Sequence, residues 1–158
     1  MTNDSPLTPA ELRVWQSLGR LVHILPRALE EDMSRTGLNM TEFAVLFLLD
    51  SAPDRRMRMS DLANAAGLTA SRITRVVDGL SRHGYLRKER HSSDRRGSEA
   101  ILTDRGREGL ATAQPAHLAS AHRRIIDHLS SADVENLADM LDRILENLSE
   151  GRGESEEV

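Results

Sequence analysis

Residues 59–86, MSDLANAAGLTASRITRVVDGLSRHGYL, carry the signals of two short helices joined by a tight turn. Ser60 is a suitable N-cap for the first helix, and Thr69 is a suitable N-cap for the second. Gly67 lies between them, where the chain needs a residue that tolerates a positive φ. The predicted helices span 61–66 and 70–83. Two such helices around a glycine turn are typical of a helix-turn-helix.

The second of these helices has an apolar face and a polar face. Its apolar stripe consists of Ile73, Val76, Val77 and Leu80. Five polar residues at its N-terminal end are the candidate contacts to nucleic acid: Thr69, Ser71, Arg72, Thr74 and Arg75. An arginine can donate two hydrogen bonds to guanine, and hydroxyl groups can reach phosphates or bases. The alternative is a structural role, in which the two arginines form salt bridges with Asp61 or Asp78.

A basic loop between two short strands follows the helix-turn-helix. Alternation of polar and apolar side chains predicts the two strands. A weaker signal, directly before the first helix of the helix-turn-helix, predicts a third strand. The three predicted strands span 57–59, 85–91 and 98–102. The loop contains Asp94, Arg95 and Arg96. Strands that flank a basic loop directly after a helix-turn-helix indicate a wing.

Long helices are predicted on both sides of this central lobe. Thr8 and Glu11 form a capping box for the first helix, Pro26 should kink it, and Pro115 should kink or break the third. Apolar residues recur at intervals of three and four, so we expect each helix to bury a face. The predicted helices span 7–35, 40–50 and 104–129. A last predicted helix begins at residue 130 or 131 and ends at residue 149. The tail 150–158 is rich in Gly, Ser and Glu, and we expect it to be disordered.

The composition excludes several classes of protein. The 158-residue chain contains no cysteine, which excludes disulfides, thiolate metal sites and thiol nucleophiles. No apolar run approaches the roughly 18 residues of a membrane span, and the N-terminus lacks a signal pattern, so we expect a cytoplasmic protein. The net charge is −4, yet residues 54–107 hold 13 Lys and Arg against 7 Asp and Glu. Such a basic segment in an acidic chain is typical of polyanion binding.

No motif in the sequence indicates metal binding or catalysis. Of the six histidines, His117 and His122 are five apart, which is a poor spacing for one helix face. The chain has no phosphate-binding loop, nucleophile elbow or dinucleotide-binding motif. We therefore expect no metal, no cofactor and no enzymatic activity.

Residues 94–103, DRRGSEAILT, resemble the wing signature of the MarR family of multiple-antibiotic-resistance-type winged-helix regulators. In that signature an Asp, any residue and an Arg precede the Leu-Thr that opens the next helix. Residues 86–88 and 104–106 also fit, and the resemblance covers about residues 7–149. It implies a mainly α fold with a small β wing, in which a winged helix-turn-helix lobe is joined to N- and C-terminal helices that form a homodimer.

The resemblance also implies roles for individual residues. The recognition helix would enter the major groove of DNA, and Arg95 or Arg96 the minor groove. Many members carry a further arginine at the wing tip, where this chain has serine. Asp94 would brace a neighbouring arginine. An aromatic anion would bind between the first helices and the lobe, and the candidate pocket residues are Trp15, Leu18, His23, Phe43 and Phe47. The alternative is that the aromatic residues are core and His23 is solvated.

These inferences predict a sequence-specific regulator of transcription that binds double-stranded DNA. It would bind a pseudo-palindromic operator as a homodimer and act as a repressor that a small aromatic anion releases. The predicted segments are a tail (1–6), the first helices (7–53), the winged lobe (54–103), the dimerisation helices (104–149) and the acidic tail (150–158). One alternative is a ligand-binding or scavenging dimer without specific DNA affinity, and another is a helical protein–protein adaptor.

Overall fold

The computed structural model describes residues 5–90 and 97–153, which are mainly helical with one small sheet. In chain order the elements are α1 (Pro9–Met33), α2 (Met40–Ser51), β1 (Arg56–Arg58), α3 (Met59–Ala65), α4 (Ala70–Arg82), β2 (Leu86–Arg90), β3 (Ser98–Leu102), α5 (Asp104–Arg124) and α6 (Ser131–Gly153). Short 3₁₀ turns lie at Pro53–Arg55 and Ile126–His128. This confirms the predicted fold class and order of elements. None of the described helices is both long and apolar enough to cross a membrane.

The sheet has three antiparallel strands with β3 in the centre. Ala100 of β3 lies opposite Met57 of β1 on one side and opposite Lys88 of β2 on the other. The third strand is therefore confirmed, one residue earlier than predicted. Because α3 and α4 lie between β1 and β2 in the chain, the sheet holds both ends of the helix-turn-helix.

The hydrophobic core lies in the first of two compact units, Met1–His117 and Leu118–Val158. Its buried side chains include Phe43, Val45, Leu46 and Leu49 of α2, Ile73, Val77 and Leu80 of α4, and Leu110 and Ala113 of α5. The predicted apolar stripe of α4 is thus buried, apart from the half-buried Val76. Burial of this stripe leaves the opposite face of α4 in solvent.

Side-chain caps fix the first residues of the long helices. Thr8 donates its backbone N–H to the Glu11 carboxylate at 2.7 Å, and its hydroxyl oxygen accepts from the Glu11 N–H at 3.4 Å. The hydrogen bond from the Thr8 backbone, followed by that from its side chain, lowers the pKa of Glu11. Thr103 caps α5 and Ser130 caps α6 in a similar way.

Two predicted boundaries differ from the structure. Ser60 does not cap α3, because β1 runs directly into a helix that begins at Met59, and the Ser60 hydroxyl donates instead to the Asp61 carboxylate at 3.2 Å. Helix α6 continues to Gly153, into the predicted tail 150–158, because extending an existing helix costs little. The rest of that tail lies outside the described residues.

Helices α1 and α6 each expose an apolar face. Helix α1 continues through Pro26. Met33 is the one buried side chain of this helix, so the predicted burial of its whole apolar face is wrong for the single chain. Its exposed apolar residues include Leu12, Val14, Trp15, Leu21, Val22 and Ile24. On α6 the exposed apolar residues are Leu137, Met140, Leu141, Ile144, Leu145 and Leu148. Apolar patches of this kind mark surfaces that a partner covers.

The predicted segment boundary after residue 103 does not coincide with the division into compact units. The first unit extends to His117, because the N-terminal half of α5 contributes Leu110 and Ala113 to its core. Helix α5 is continuous through Pro115 and ends at Arg124, short of the predicted end at residue 129.

Candidate nucleic-acid interface

The first two turns of α4 present the predicted contact residues to solvent. All five are exposed: Thr69, Ser71, Arg72, Thr74 and Arg75. Because Ile73 and Val77 are buried on the other side of the helix, these polar residues cannot turn inward. The structure therefore brings the five predicted residues together at one end of one helix.

The hydroxyl groups at this end of α4 are partly engaged within the helix. The Thr69 hydroxyl oxygen accepts from the Arg72 N–H at 3.3 Å and lies 3.3 Å from the Ser71 hydroxyl oxygen. The Thr74 hydroxyl donates to the carbonyl oxygen of Ala70 at 2.8 Å. In the pair Thr69 and Ser71, one hydroxyl donates to the other, so one proton is left to donate to a phosphate.

Arg72 and Arg75 have no ion pair within the described residues. The carboxylates that the alternative interpretation assigned to them have other partners. Asp78 binds the Lys88 ammonium at 2.8 Å, and Asp61 accepts a hydrogen bond from Ser60. The two guanidinium groups are therefore available to an external acceptor.

Several other basic side chains of the lobe are already paired. The ion pairs are Arg56 with Glu99 (3.5 Å), Arg87 with Glu89 (3.3 Å), and both Arg55 and Arg107 with Asp50 (3.7 Å each). The side chain of Arg82 donates to the carbonyl oxygen of Asp78 at 3.3 Å. Exposed pairs of this kind add little stability, about 0–1 kcal/mol each. They do neutralise part of the positive charge of the lobe.

The strands of the predicted wing are described, but its tip is not. Strands β2 and β3 pair along their whole length, so that Arg90 lies opposite Ser98. Asp94, Arg95 and Arg96 lie outside the described residues. Their roles as a brace and as minor-groove contacts stay predictions.

The candidate effector residues are divided between two environments. Phe43 is buried in the core, and its ring stacks on that of Phe47 with 6.3 Å between the centroids. Trp15 is 70% exposed on α1, where His23 is exposed and Leu18 half-buried. The single chain therefore does not enclose Trp15 or His23, and Phe43 has the core position that the alternative interpretation expects.

His117 lies against Phe43, a contact that the sequence does not predict. The two ring centroids are 4.3 Å apart. The Nδ1 atom of His117 is buried without a hydrogen-bond partner among the described residues, and burial lowers the pKa of the imidazole. The sequence gives no signal for this contact, because the two residues are far apart in the chain and His117 has no motif.

We expect acid to destabilise the protein through His117. Its pKa in the folded state is lowered, so as the pH falls below about 6.5 the unfolded chain takes up a proton first and the free energy of unfolding decreases. In urea denaturation at a series of pH values, His117→Gln should show a shallower decline below about pH 6.5 than the unsubstituted protein. His23→Gln, at an exposed position on α1, controls for the loss of a histidine as such. Equal slopes in all three proteins would contradict the prediction.

No group of three His, Asp or Glu side chains among the described residues is arranged to hold a metal ion. The exposed His122 pairs instead with Asp127, with 3.0 Å between Nδ1 and the carboxylate oxygen.

Comparison with known proteins gives matches over nearly the whole chain. The model of the MarR family matches residues 38–98. The HTH-type transcriptional repressor YetL of Bacillus subtilis is 28% identical over 138 residues, which are 87% of this chain and 82% of YetL. The solved structure of AbsC, a MarR family transcriptional regulator from Streptomyces coelicolor, is 34% identical with a TM-score of 0.84, and the match covers 92% of this chain and 98% of AbsC.

A second solved structure, also from Streptomyces coelicolor, is similar to the same extent. The MarR family transcriptional regulator Sco3205, in complex with DNA, is 32% identical with a TM-score of 0.85, and the match covers 91% of each chain. The similarity therefore includes both compact units and is not confined to the helix-turn-helix.

Proposed function

Because this chain belongs to the MarR family of transcriptional regulators, we propose that it represses transcription by binding a specific double-stranded operator as a homodimer. The observation that carries the proposal is the N-terminal end of α4, where Arg72 and Arg75 are exposed and without an ion pair among the described residues. The similarity to YetL, a transcriptional repressor, and to Sco3205, whose structure was solved in complex with DNA, supports it. A regulator of this kind acts on the chromosome, so the proposal places it in the cytoplasm and assigns it no catalytic role.

Each group at this end of α4 has a role that follows from its chemistry. Arg72 and Arg75 can each donate two parallel hydrogen bonds to the O6 and N7 atoms of guanine in the major groove. The hydroxyl pair of Ser71 and Thr69 has one proton left to donate to a phosphate. Such a phosphate contact fixes the register of the helix on the duplex. Arg95 or Arg96 would enter the adjacent minor groove, where the electrostatic potential is negative.

The apolar faces of α1 and α6 support assembly into a homodimer. The exposed stripe of α6, from Leu137 to Leu148, is too apolar to stay in water, and a second copy offers the same stripe for a symmetric contact. A two-fold dimer presents two copies of α4. Its operator is therefore pseudo-palindromic, with half-sites about one helical turn apart.

Release of the operator by a small aromatic anion completes the proposal. Trp15 and Phe47 are exposed aromatic side chains, and His23 and Arg27 are exposed hydrogen-bonding groups on α1. Aromatic rings and a few polar groups are the usual lining of a site for such a ligand. A ligand that binds better to one spacing of the two recognition helices shifts the dimer to that spacing and breaks the fit to DNA.

Selection from fragmented genomic DNA tests the proposal. The purified protein is mixed with the fragments, the bound duplexes are sequenced, and their affinity is measured over a series of salt concentrations. We expect a shared pseudo-palindromic site, with an affinity that falls steeply as salt rises. A panel of aromatic carboxylates should then contain compounds that release it. Failure to enrich any sequence would overturn the proposal and favour a ligand-binding dimer without specific DNA affinity.

Arg75→Ala is expected to weaken binding to the selected duplex by about 1–3 kcal/mol and to relax base preference at one position of each half-site. The reason is the loss of a guanidinium that reads a base. Fluorescence anisotropy on duplexes that vary at single positions measures both effects. Arg82→Ala, which removes the same charge from the last turn of α4, should weaken all sequences alike. A uniform loss for Arg75→Ala as well would show that Arg75 contacts only phosphate.

A further inference from the structure

Lys88 is an exposed residue of β2 whose side chain leaves the strand on the same face as the core. It lies on β2 two residues after the buried Leu86, and alternate residues of a strand point to the same face. Across the sheet it pairs with Ala100, which is fully buried. The residue is exposed as a whole, and its side chain keeps 33% of its surface accessible. Its apolar stem can therefore pack along the sheet while the ammonium group reaches the edge of the lobe.

The partner of the Lys88 ammonium group is the carboxylate of Asp78, which lies on α4, the recognition helix of the proposed function. The Lys88 Nζ atom lies 2.8 Å from the Asp78 Oδ1 atom, which is the distance of a short charge-assisted hydrogen bond. Asp78 is the one acidic residue in α4, Ala70–Arg82. The pair therefore connects the helix that bears Arg72 and Arg75 to a strand of the wing.

Without Lys88, Asp78 would have a different partner. It lies three positions after Arg75 on the helix, a spacing at which opposite charges pair. Arg82, four positions further on, uses its Nε–H on the carbonyl oxygen of Asp78 and leaves the carboxylate to Lys88. A carboxylate freed from Lys88 would compete with DNA for the Arg75 guanidinium and would repel phosphates.

We propose that Lys88 is a positioning residue for DNA binding, whose ammonium group holds and neutralises Asp78 so that Arg75 stays available to the operator. The inference rests on the proposed function. It assigns to Lys88 an effect that passes through Asp78 and requires no contact between Lys88 and DNA. Removal of the Asp78 charge should therefore make Lys88 dispensable.

A double-mutant cycle on the duplex recovered by selection tests this. Lys88→Met keeps the apolar stem and removes the charge, and Asp78→Asn keeps the shape of the carboxylate and removes its charge. We expect Lys88→Met to bind about tenfold more weakly, and Asp78→Asn and the double variant to bind within about threefold of the unsubstituted protein. Lys88→Arg, which can still pair with Asp78, should bind like the unsubstituted protein.

Three further measurements separate the possible causes. The thermal unfolding midpoint of each variant shows whether a loss of binding reflects a loss of folding. Arg87, the residue before Lys88 on β2, pairs with Glu89. Arg87→Met removes a positive charge from that position and controls for general electrostatic attraction. The salt dependence identifies direct phosphate contacts, since loss of one reduces the slope by about 1.

The outcomes distinguish this inference from the proposed function. If the unsubstituted protein selects no duplex, the proposed function fails. If it binds its duplex but the double variant is as weak as Lys88→Met, with a reduced salt slope, Lys88 contacts phosphate directly and the positioning role is overturned. Unchanged binding by Lys88→Met at an unchanged unfolding midpoint would overturn it as well.

Discussion

Leu141→Glu is expected to convert the proposed homodimer into a monomer and to abolish specific DNA binding. Leu141 lies in the middle of the exposed apolar stripe of α6 and is 40% exposed in the single chain. Burial of a leucine contributes about 1.5–3 kcal/mol, and an unpaired carboxylate in an apolar contact costs several more. In a two-fold dimer each substitution occurs twice. The combined loss exceeds what a dimer of ordinary affinity can tolerate.

Light scattering during size-exclusion chromatography measures the oligomeric state of Leu141→Glu, and circular dichroism measures its helicity. Asn136→Glu is the matched control, since it adds the same charge to the polar side of α6, beside Asp139 and Arg143. It should remain a dimer and bind DNA. A Leu141→Glu protein that is still dimeric at micromolar concentration would show that α6 does not form the dimer contact.

Gly106→Ala is expected to destabilise the fold by about 3 kcal/mol, at the upper end of the cost of overpacking. A Cβ atom at this position would lie 2.2 Å from the Tyr85 carbonyl oxygen and 2.6 Å from the Leu102 Cδ1 atom. The carbonyl cannot move away easily, because it accepts a hydrogen bond from the backbone N–H of Thr103 at 3.1 Å. The first turn of α5 would have to shift from the sheet.

Thermal and urea denaturation measure this loss, which corresponds to a fall in Tm of about 6–12 °C for a chain of this size. The same substitution at Gly79, in α4, is the control. The nearest atom to a Cβ there is the end of the Arg82 side chain at 4.0 Å, so Gly79→Ala should raise stability by about 0.5–1 kcal/mol through helix propensity. Equal stability of Gly106→Ala and the unsubstituted protein would mean that α5 can move without cost.

Local signals were enough to predict the helix-turn-helix and its polar face. The Thr69 cap, the Gly67 turn and the stripe that includes Ile73 and Leu80 are all within one short segment, and each has a direct physical reading. The strands of the wing were predicted for the same reason. Ser60 was misassigned because the sequence does not show that β1 runs directly into α3.

Contacts between distant segments could not be predicted in this way. The sequence does not reveal that Phe43 meets His117, nor that Lys88 rather than Arg75 binds Asp78. Periodicity identifies an apolar face on α1 but not whether this chain or a partner covers it. Trp15 is the clearest case, since its place in the helical pattern predicts burial and it is 70% exposed in the single chain.

The ammonium group of Lys88 also affects how the protein can be handled. Every other basic side chain among the 21 Lys and Arg is an arginine, so this sequence offers one side-chain amine to reagents that acylate amines. A dye or sensor surface coupled through that amine would be attached beside the recognition helix and would remove the charge that holds Asp78. Affinities measured on such a surface would be too weak, whereas attachment through a terminal tag would leave this pair intact.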